Sequence, residues 1–141
     1  MASVKATNIT NIDASPSVLA NAGDVHGSVR VFKDTYEASS LASGSDITVA
    51  RLPKGARVVD IHLKADALGN GVTLAVGDSA TADRYISATA MNTADKQLSL
   101  SSNGAIASIG YEIGDVTDIL VTTGGATASG TITSVVYYTV S

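Results

Sequence analysis

The sequence predicts an all-β domain, an antiparallel β-sandwich or jelly roll of about eight strands, and three observations lead to this. Residues 57–66 alternate between apolar and polar side chains, the period of two that is typical of a half-buried strand. Glycine-containing turns recur every ~8–12 residues, the spacing found in sandwich and barrel folds. No segment of helical length keeps a 3.6-residue period, which excludes parallel α/β architectures.

The pattern is clearest in residues 52–79, around which the other elements are arranged. The predicted buried face of the strand at 57–66 carries Val59, Ile61, Leu63 and Ala65, and its wet face carries Val58, Asp60, His62, Lys64 and Asp66. Gly69-Asn70-Gly71 then reverses the chain, because glycine adopts positive φ at little cost. Alternation resumes at Val72, Leu74 and Val76. The sequence therefore predicts a central β-hairpin.

The segment before this hairpin divides into an arm and two strands. Residues 1–27 are rich in Ser, Ala, Asn and Asp with scattered apolar residues, which predicts an extended N-terminal arm with a short turn of helix near residues 17–21. The β-sandwich domain follows at residues 28–141. Its first two strands are predicted at 28–37 and 46–52, with a loop at 38–45 between them. Pro53-Lys54-Gly55 forms a tight turn into the hairpin.

The segment after the hairpin contains five further predicted strands and a loop at 124–130. The strands lie at residues 83–89, 97–100, 105–113, 117–123 and 131–140. In the first of them Ile86 faces opposite to Tyr85, and in the third Ile109, Tyr111 and Ile113 share one face. The last strand places Ile132, Val136, Tyr138 and Val140 opposite Thr131, Thr133 and Thr139. An outward Tyr137 suits a subunit interface.

Composition excludes several classes of protein. Hydrophobic residues make up 45% of the chain but aromatic residues only 4%, which suits a thin core between two sheets. The chain has no cysteine, so neither disulfides nor thiolate metal sites can form. A net charge of −4 without a basic cluster argues against nucleic acid as a partner. No apolar run approaches the ~20 residues of a membrane span. The first ten residues lack the apolar region of a signal peptide, which predicts synthesis in the cytoplasm.

The possible catalytic residues in the sequence have structural explanations. Gly77-Asp78-Ser79 matches the start of a hydrolase motif, but its base would have to be His26 or His62. His62 lies on the wet face of its strand, where a solvated histidine is expected, and the α/β scaffold of such enzymes is missing. We therefore predict no catalytic residues and a protein that is not an enzyme.

Ligand sites are equally poorly supported by the sequence. Asp78 and Asp83 could offer oxygen atoms to calcium, but calcium loops use three or more closely spaced ligands. A turn in which Asp78 binds backbone amides explains the first of them. The glycosylation sequon at Asn8 is a chance match without a signal peptide, and no helix start follows the glycine turns to hold phosphate. We predict no metal site and no cofactor.

Several short motifs resemble small structural proteins of tailed bacteriophages. The likeness covers residues 45–140 and includes the closing strand at 132–140. The matching residues form the motifs L-P-x-G-A, V-D-x-x-L, T-L-x-V-G-D and R-Y, at Leu52, Pro53, Gly55, Ala56, Val59, Asp60, Leu63, Thr73, Leu74, Val76, Gly77, Asp78, Arg84 and Tyr85. The chain resembles head decoration (cement) proteins and other minor virion proteins.

This resemblance implies a β-sandwich or jelly-roll domain that forms a homotrimer on the outside of a capsid, with the major capsid protein as its partner. The expected location is therefore the virion. The arm at residues 2–27 is the candidate for a reaching contact with a neighbour. The alternative is a receptor- or carbohydrate-binding β-sandwich of a phage fibre or tail. Because sugar platforms usually expose Trp or Tyr, and this chain has no Trp and dispersed Tyr, the alternative ranks second and an enzyme third.

Overall fold

The computed structural model describes residues 2–19, 25 and 27–140, and in this part of the chain nine strands form two antiparallel sheets. The all-β prediction is confirmed. The strands are β1 (Arg30–Leu41), β2 (Asp46–Leu52), β3 (Ala56–Ala65), β4 (Thr73–Gly77), β5 (Ile86–Ala90), β6 (Lys96–Ser99), β7 (Tyr111–Glu112), β8 (Thr117–Gly124) and β9 (Ala128–Val140). The helices are α1 (Thr7–Asp13), α2 (Leu100–Asn103) and a 3-10 turn at Ile106–Ser108.

The two sheets pack face to face as a β-sandwich. Sheet A has the strand order β1-β9-β3-β6, with β7 also pairing to β3, and sheet B has the order β2-β8-β4-β5. The inner faces meet in a core of small aliphatic side chains, as expected for sheets about 10 Å apart. Its largest buried members include Leu52, Ile61, Leu63, Leu74, Leu98, Ile119 and Ile132.

The predicted central hairpin is wrong. β3 pairs with β6, β7 and β9 in sheet A, whereas β4 pairs with β5 and β8 in sheet B. The turn at Gly69 and Gly71, both with positive φ, belongs to the connection that carries the chain from one sheet to the other. Two adjacent strands with a short glycine turn match a hairpin and a sheet-to-sheet connection equally well, because the alternation of side chains does not specify the partner strand.

The predicted faces of β3 are right at one end and wrong at the other. Ile61, Leu63 and Ala65 are buried and His62 is exposed, as predicted, but Val58 is fully buried and Val59 is 38% exposed. Val58 pairs with Tyr138 while Asp60 pairs with the adjacent Tyr137, which leaves Val59 as an extra residue on β3. A β-bulge of this kind reverses the phase of alternation along the strand.

Other boundaries differ from the predictions in specific ways. β1 runs to Leu41 with an irregularity after Ala38, so half of the predicted loop at 38–45 is strand. The predicted strand at 105–113 is wrong, because Ile106–Ser108 forms a 3-10 turn and only Tyr111–Glu112 pairs. As a result Ile113 is buried but Ile109 is largely exposed.

Smaller differences concern the remaining strands. The strand predicted at 83–89 begins only at Ile86, and Tyr85 and Ile86 are both buried although they were expected on opposite faces. The predicted loop at 124–130 is shorter, because β9 begins at Ala128. Along β9, Ile132 and Val136 are buried, with Tyr138 and Val140 packed against the core, as predicted; Thr139, expected on the wet face, is buried as well.

The arm contains a helix at a place that the sequence did not indicate. The helix α1 covers Thr7–Asp13. Lys5, which precedes the helix, forms an ion pair with Asp13 at 2.6 Å. The turn of helix predicted near residues 17–21 is absent at 17–19, and residues 20 and 21 lie outside the described part of the chain.

Candidate interaction surface

The outer face of sheet A is built from alternate residues of its strands. Across the sheet, Val31 on β1 pairs with Tyr137 on β9, and Tyr137 pairs with Asp60 on β3. One row further along, Lys33, Val135 and His62 lie side by side. Because opposite residues of an antiparallel pair point to the same face, these side chains form one continuous surface.

An apolar strip crosses this face near the beginning of β1. We call it the outer band, and its members are Val31, Val59, Ile109, Val135 and Tyr137. Val31 is 54% exposed, and Tyr137 and Val135 are half-buried. Val59 and Ile109 line one shallow depression together with Arg57 and Gly110. Contiguous apolar side chains on an outer sheet face are typical of protein contact sites.

The β-bulge places Val59 in the outer band. Without the extra residue, the alternation that buries Ile61 would also have buried Val59. With it, Val58 fills the core and Val59 points outward between β9 and the loop at Ile109. Bulges recur where a strand presents a side chain for contact, and this one adds Val59 to the surface while Val58 is buried in the core.

A hydrogen-bonded polar cluster lies next to the outer band. His62 Nε2 is 2.9 Å from Asp60 Oδ2, and the imidazole packs edge-on against the ring of Tyr137 with centroids 5.4 Å apart. The hydroxyl of Ser101 donates to Asp60 Oδ2 at 3.1 Å, and the backbone N–H groups of Ile61 and Ser101 donate to Oδ1. The cluster fixes α2 against β3 and orients the histidine.

This cluster contains the residue types of a catalytic triad in an unsuitable arrangement. In a triad the serine hydroxyl gives its proton to the histidine, and the carboxylate orients the far side of the ring. Here Ser101 donates to the carboxylate itself, and so does the histidine. The contacts therefore hold these side chains in place without activating Ser101 as a nucleophile.

The electrostatics of Asp60 follow from these contacts. Partial burial raises the pKa of the Asp60 carboxyl, but hydrogen bonds from His62, Ile61 and Ser101 together outweigh it, and the pKa lies below its ordinary value of 3.8. A folded-state pKa below the unfolded one means that the carboxylate stabilises the fold above pH 3.8. This stabilisation is lost as the pH falls through the folded-state value.

The variant Asp60→Asn should therefore lose stability in a pH-dependent way. At pH 7 we expect the free energy of unfolding of the variant to be about 1 kcal/mol lower than that of the original chain, because charge-assisted hydrogen bonds at a partly solvated site are lost. The difference should narrow in thermal melts at pH values increasingly below 3.8, as the carboxyl of the original chain takes up a proton. An unchanged difference over this range would show that the charge of Asp60 has no role in stability.

A shallow polar groove continues from this cluster between β3, β6 and α2. Its volume is about 570 Å³, and Asp60, His62, Lys64, Gln97, Ser101 and Asn103 contribute to its lining. The groove combines hydrogen-bond donors and acceptors with apolar side chains, among them Leu63, Leu98 and Val135.

The turn after β4 holds the residues that the sequence singled out for catalysis or calcium. Asp78 Oδ1 accepts from the backbone N–H groups of Ala80 and Thr81, and its Oδ2 accepts from Arg84 Nε at 2.7 Å. The hydrogen bond from Arg84 to Asp78 and the negative charge of Asp78 raise the pKa of Arg84 above the ordinary value. Asp78 therefore forms a turn by accepting hydrogen bonds from backbone amides, which is the structural explanation that the sequence favoured. Arg84 in turn lies over the ring of Tyr111, 4.5 Å from its centroid.

The other candidate residues are not brought together. Ser79 is exposed after β4 of sheet B, whereas His62 lies on the outer face of sheet A. His26 lies outside the described residues, and Asn8 falls within α1. In the described part of the chain no three His, Cys, Asp or Glu residues are grouped as metal ligands. Within the same residues, no helix has the length and apolar character needed to cross a membrane.

Sequence reasoning missed the outer band as a unit. It predicted an outward Tyr137, and the half-buried Tyr137 on the outer face agrees with this. The sequence places Val31 on a weakly alternating strand, Val59 on a buried face, and Ile109 on a shared face with Tyr111 and Ile113. The adjacent pair Val58-Val59 was the only available signal, because two neighbouring apolar residues fit either phase of a strand.

Comparisons with known proteins identify the fold through structure alone. No protein-family model matches the sequence, and no curated protein matches it. The fold matches chains in solved phage capsids. A chain of the cyanophage Pam1 capsid asymmetric unit superimposes with a TM-score of 0.65 at 23% identity, covering 92% of this chain and 97% of that one.

Two further capsid structures contain similar chains. In the capsid of Ralstonia phage GP4 the TM-score is 0.59 at 19% identity, over 88% of this chain and 90% of that one. In the acid-stable capsid of Helicobacter pylori bacteriophage KHP30 the TM-score is 0.60 at 17% identity, over 81% of this chain and 90% of that one. The likeness therefore extends over almost the whole of each chain and establishes a shared fold.

Proposed function

We propose that this chain is a phage virion structural protein that binds the outside of the capsid and stabilises it as a decoration (cement) protein. The observation that carries the proposal is the shared fold with chains of three phage capsids over at least 90% of their length. A decoration protein needs a rigid core and surfaces for contact. The sandwich and the outer band meet both requirements, and no enzymatic activity is part of the proposal.

The proposed mechanism is a clamp. The domain at residues 28–141 sits on the capsid surface as a homotrimer, and the arm at residues 1–27 reaches a neighbouring molecule of the shell. Binding to the assembled capsid and not to its dissociated subunits stabilises the shell by mass action. Three linked copies multiply weak contacts when all can engage at once. The partner is the major capsid protein, and the location is the virion.

The test is to add the purified protein to capsids that lack it. Binding should saturate at a fixed copy number per capsid, and the melting temperature of the capsid should rise. Deleting residues 2–27 should weaken binding while the domain stays folded by circular dichroism. Saturable binding without any rise in melting temperature would contradict the stabilising role, and absence of binding would contradict the proposal as a whole.

A second candidate function is carbohydrate or receptor binding by a fibre or tail module. The observation that favours it is the polar groove of about 570 Å³ beside His62 and Tyr137. Binding of the chain to a glycan array or to host cells, abolished by Gln97→Ala together with Asn103→Ala, would support this candidate. Glycan binding by a chain that does not bind capsids would replace the decoration role.

A further inference from the structure

The helix α1 carries an apolar face that its own domain leaves uncovered. Ile9 and Ile12 lie three residues apart and therefore on the same side of the helix. Their side chains are 50% and 43% exposed. The helix has only seven residues, and helices shorter than about 12–15 residues are marginal in water without tertiary packing. A partner surface is needed to keep this segment helical.

The outer band is an uncovered surface of matching size. Val31 on β1 pairs with Tyr137 on β9, and Tyr137 pairs with Asp60 on β3, the residue that follows Val59. Two strand spacings amount to about 10 Å, and the seven residues of α1 span about the same length. Two isoleucines one turn apart fit an apolar strip of this length, as in other complexes where a helix lies on an apolar surface.

The helix α1 and the beginning of the outer band are also close to each other in the sequence. The arm enters the domain at Val29, which is exposed beside Val31 of the outer band. Residues 14–29 can span at most about 50 Å when extended, which is enough to cross to an adjacent molecule. The arm of one copy could therefore reach the outer band of the next without rearrangement of either domain.

The exposure of both surfaces in the single chain favours a contact between two copies. In the single chain, Ile9 and Ile12 stay half exposed and so do Val31 and Val59. The chain's own band is within reach of its arm and yet remains uncovered. A second copy supplies the same band in another position, and a ring of copies can satisfy every arm and every band by symmetry.

We infer that α1 of one copy packs through Ile9 and Ile12 on the outer band of a second copy. This inference rests on the homo-oligomer of the proposed function, and it adds the residues that hold the oligomer together. Each arm leaves its own domain and each band receives a neighbour's arm, which two copies achieve by exchanging arms and three or more copies achieve in a closed ring. It requires no capsid.

Disulfide trapping tests the contact directly, because the chain has no cysteine of its own. Two single variants, Ile12→Cys and Val59→Cys, are mixed under mild oxidation, with a size tag on one of them. We expect a disulfide between the tagged and untagged chains. The matched control replaces Val59→Cys by Val116→Cys, which is more exposed than Val59 but lies outside the outer band, and it should form this product at least 10-fold more slowly.

The double variant Ile12→Cys/Val59→Cys separates the two possible donors of the arm. Covalent dimers and rings are expected when the arm comes from a neighbour. A monomer with an internal disulfide would show that the arm covers its own band, and this outcome would overturn the inference. Equal trapping at Val59 and Val116 would overturn it as well.

Self-association provides an independent measurement by light scattering and sedimentation without capsids. Ile9→Asp/Ile12→Asp and, separately, Val59→Asp should each weaken association roughly 10-fold or more, since a charge must be buried in an apolar contact. Val4→Asp, in the same arm but outside α1, should leave association unchanged. Circular dichroism and melting confirm that each variant is folded. Folded variants that associate as well as the original chain would overturn the inference.

The contact between α1 and the outer band can fail its test independently of the proposed function. A chain that is monomeric at all concentrations, yet binds capsids saturably, would overturn the arm-to-band contact and leave the decoration role standing. A ring that forms through α1 and the outer band but ignores capsids would support the contact and contradict the decoration role.

Discussion

Replacing Leu63 by alanine should lower the free energy of unfolding by about 2–5 kcal/mol. Leu63 is 1% exposed and lies on the inner face of β3, which runs through the middle of sheet A. Truncation there removes apolar contacts and leaves a cavity that two packed sheets cannot readily close. Urea denaturation followed by circular dichroism measures the change, with an unchanged m-value as evidence of the same unfolding reaction.

His62 and Val59 on the same strand serve as matched controls. His62→Ala should change stability by no more than about 0.5 kcal/mol, because the side chain faces outward and solvent replaces most of its contacts. Val59→Ala should also cost less than Val58→Ala, although sequence alternation alone predicts the opposite order. If Val59 proved the more costly of the two valines, the bulge would be absent and β3 would follow a single phase throughout.

Replacing Gly125 by alanine should destabilise the domain by about 3 kcal/mol or more. Gly125 has φ of 80°, a conformation that residues with a Cβ rarely adopt. An added Cβ would overlap the carbonyl oxygen of Gly71 in the connection between β3 and β4. Both effects act on backbone atoms, so no side-chain rotation can relieve them. Thermal melting should show the loss directly.

Gly114→Ala is the control for this prediction. A Cβ at Gly114 would meet nothing within 4 Å, and its backbone has no positive φ. This variant should melt close to the original chain. Comparable losses at both glycines would indicate that chain flexibility, and not the close approach of two connections, determines the effect.

The sequence predicts where most strands lie because strand formation is read from local patterns. β2 was located at Asp46–Leu52 from the turn residues that flank it and from Ile47 and Val49. β8 was located almost as closely. In these segments the β-branched residues and the turns agree on where the strand lies, although a register shift between Thr48 and Ala50 interrupts the alternation within β2.

The pairing of strands could not be predicted in the same way. β3 and β4 are neighbours in sequence, yet they lie in different sheets, and β3 pairs instead with β9 at the far end of the domain. Nothing local to residues 57–77 specifies a partner more than 50 residues away. The bulge at Val59 was hidden for a related reason, because it depends on how β3 aligns with Tyr137 and Tyr138.

The candidate surface was therefore predictable only in part. The outward position of Tyr137 follows from the alternation of β9. Its apolar neighbours come from β1, from the bulge and from the loop at Ile109, and only the assembled sheet brings these segments together. The helix α1 was unpredictable from local preferences, since residues 7–13 contain Asn, Asp and two Thr, which favour other conformations.

The position of β9 between β1 and β3 has a consequence for biosynthesis. β1 pairs with β9 across about 100 residues of sequence, for example through Arg30 and Tyr138. Until the ribosome has made residues 128–140, β1 has no partner in sheet A and β3 has only the short strands β6 and β7. Pairing of such distant segments is slow. At 5–20 residues per second, the nascent chain spends several seconds with unpaired strand edges, so folding follows translation and exposes the chain to chaperones and aggregation.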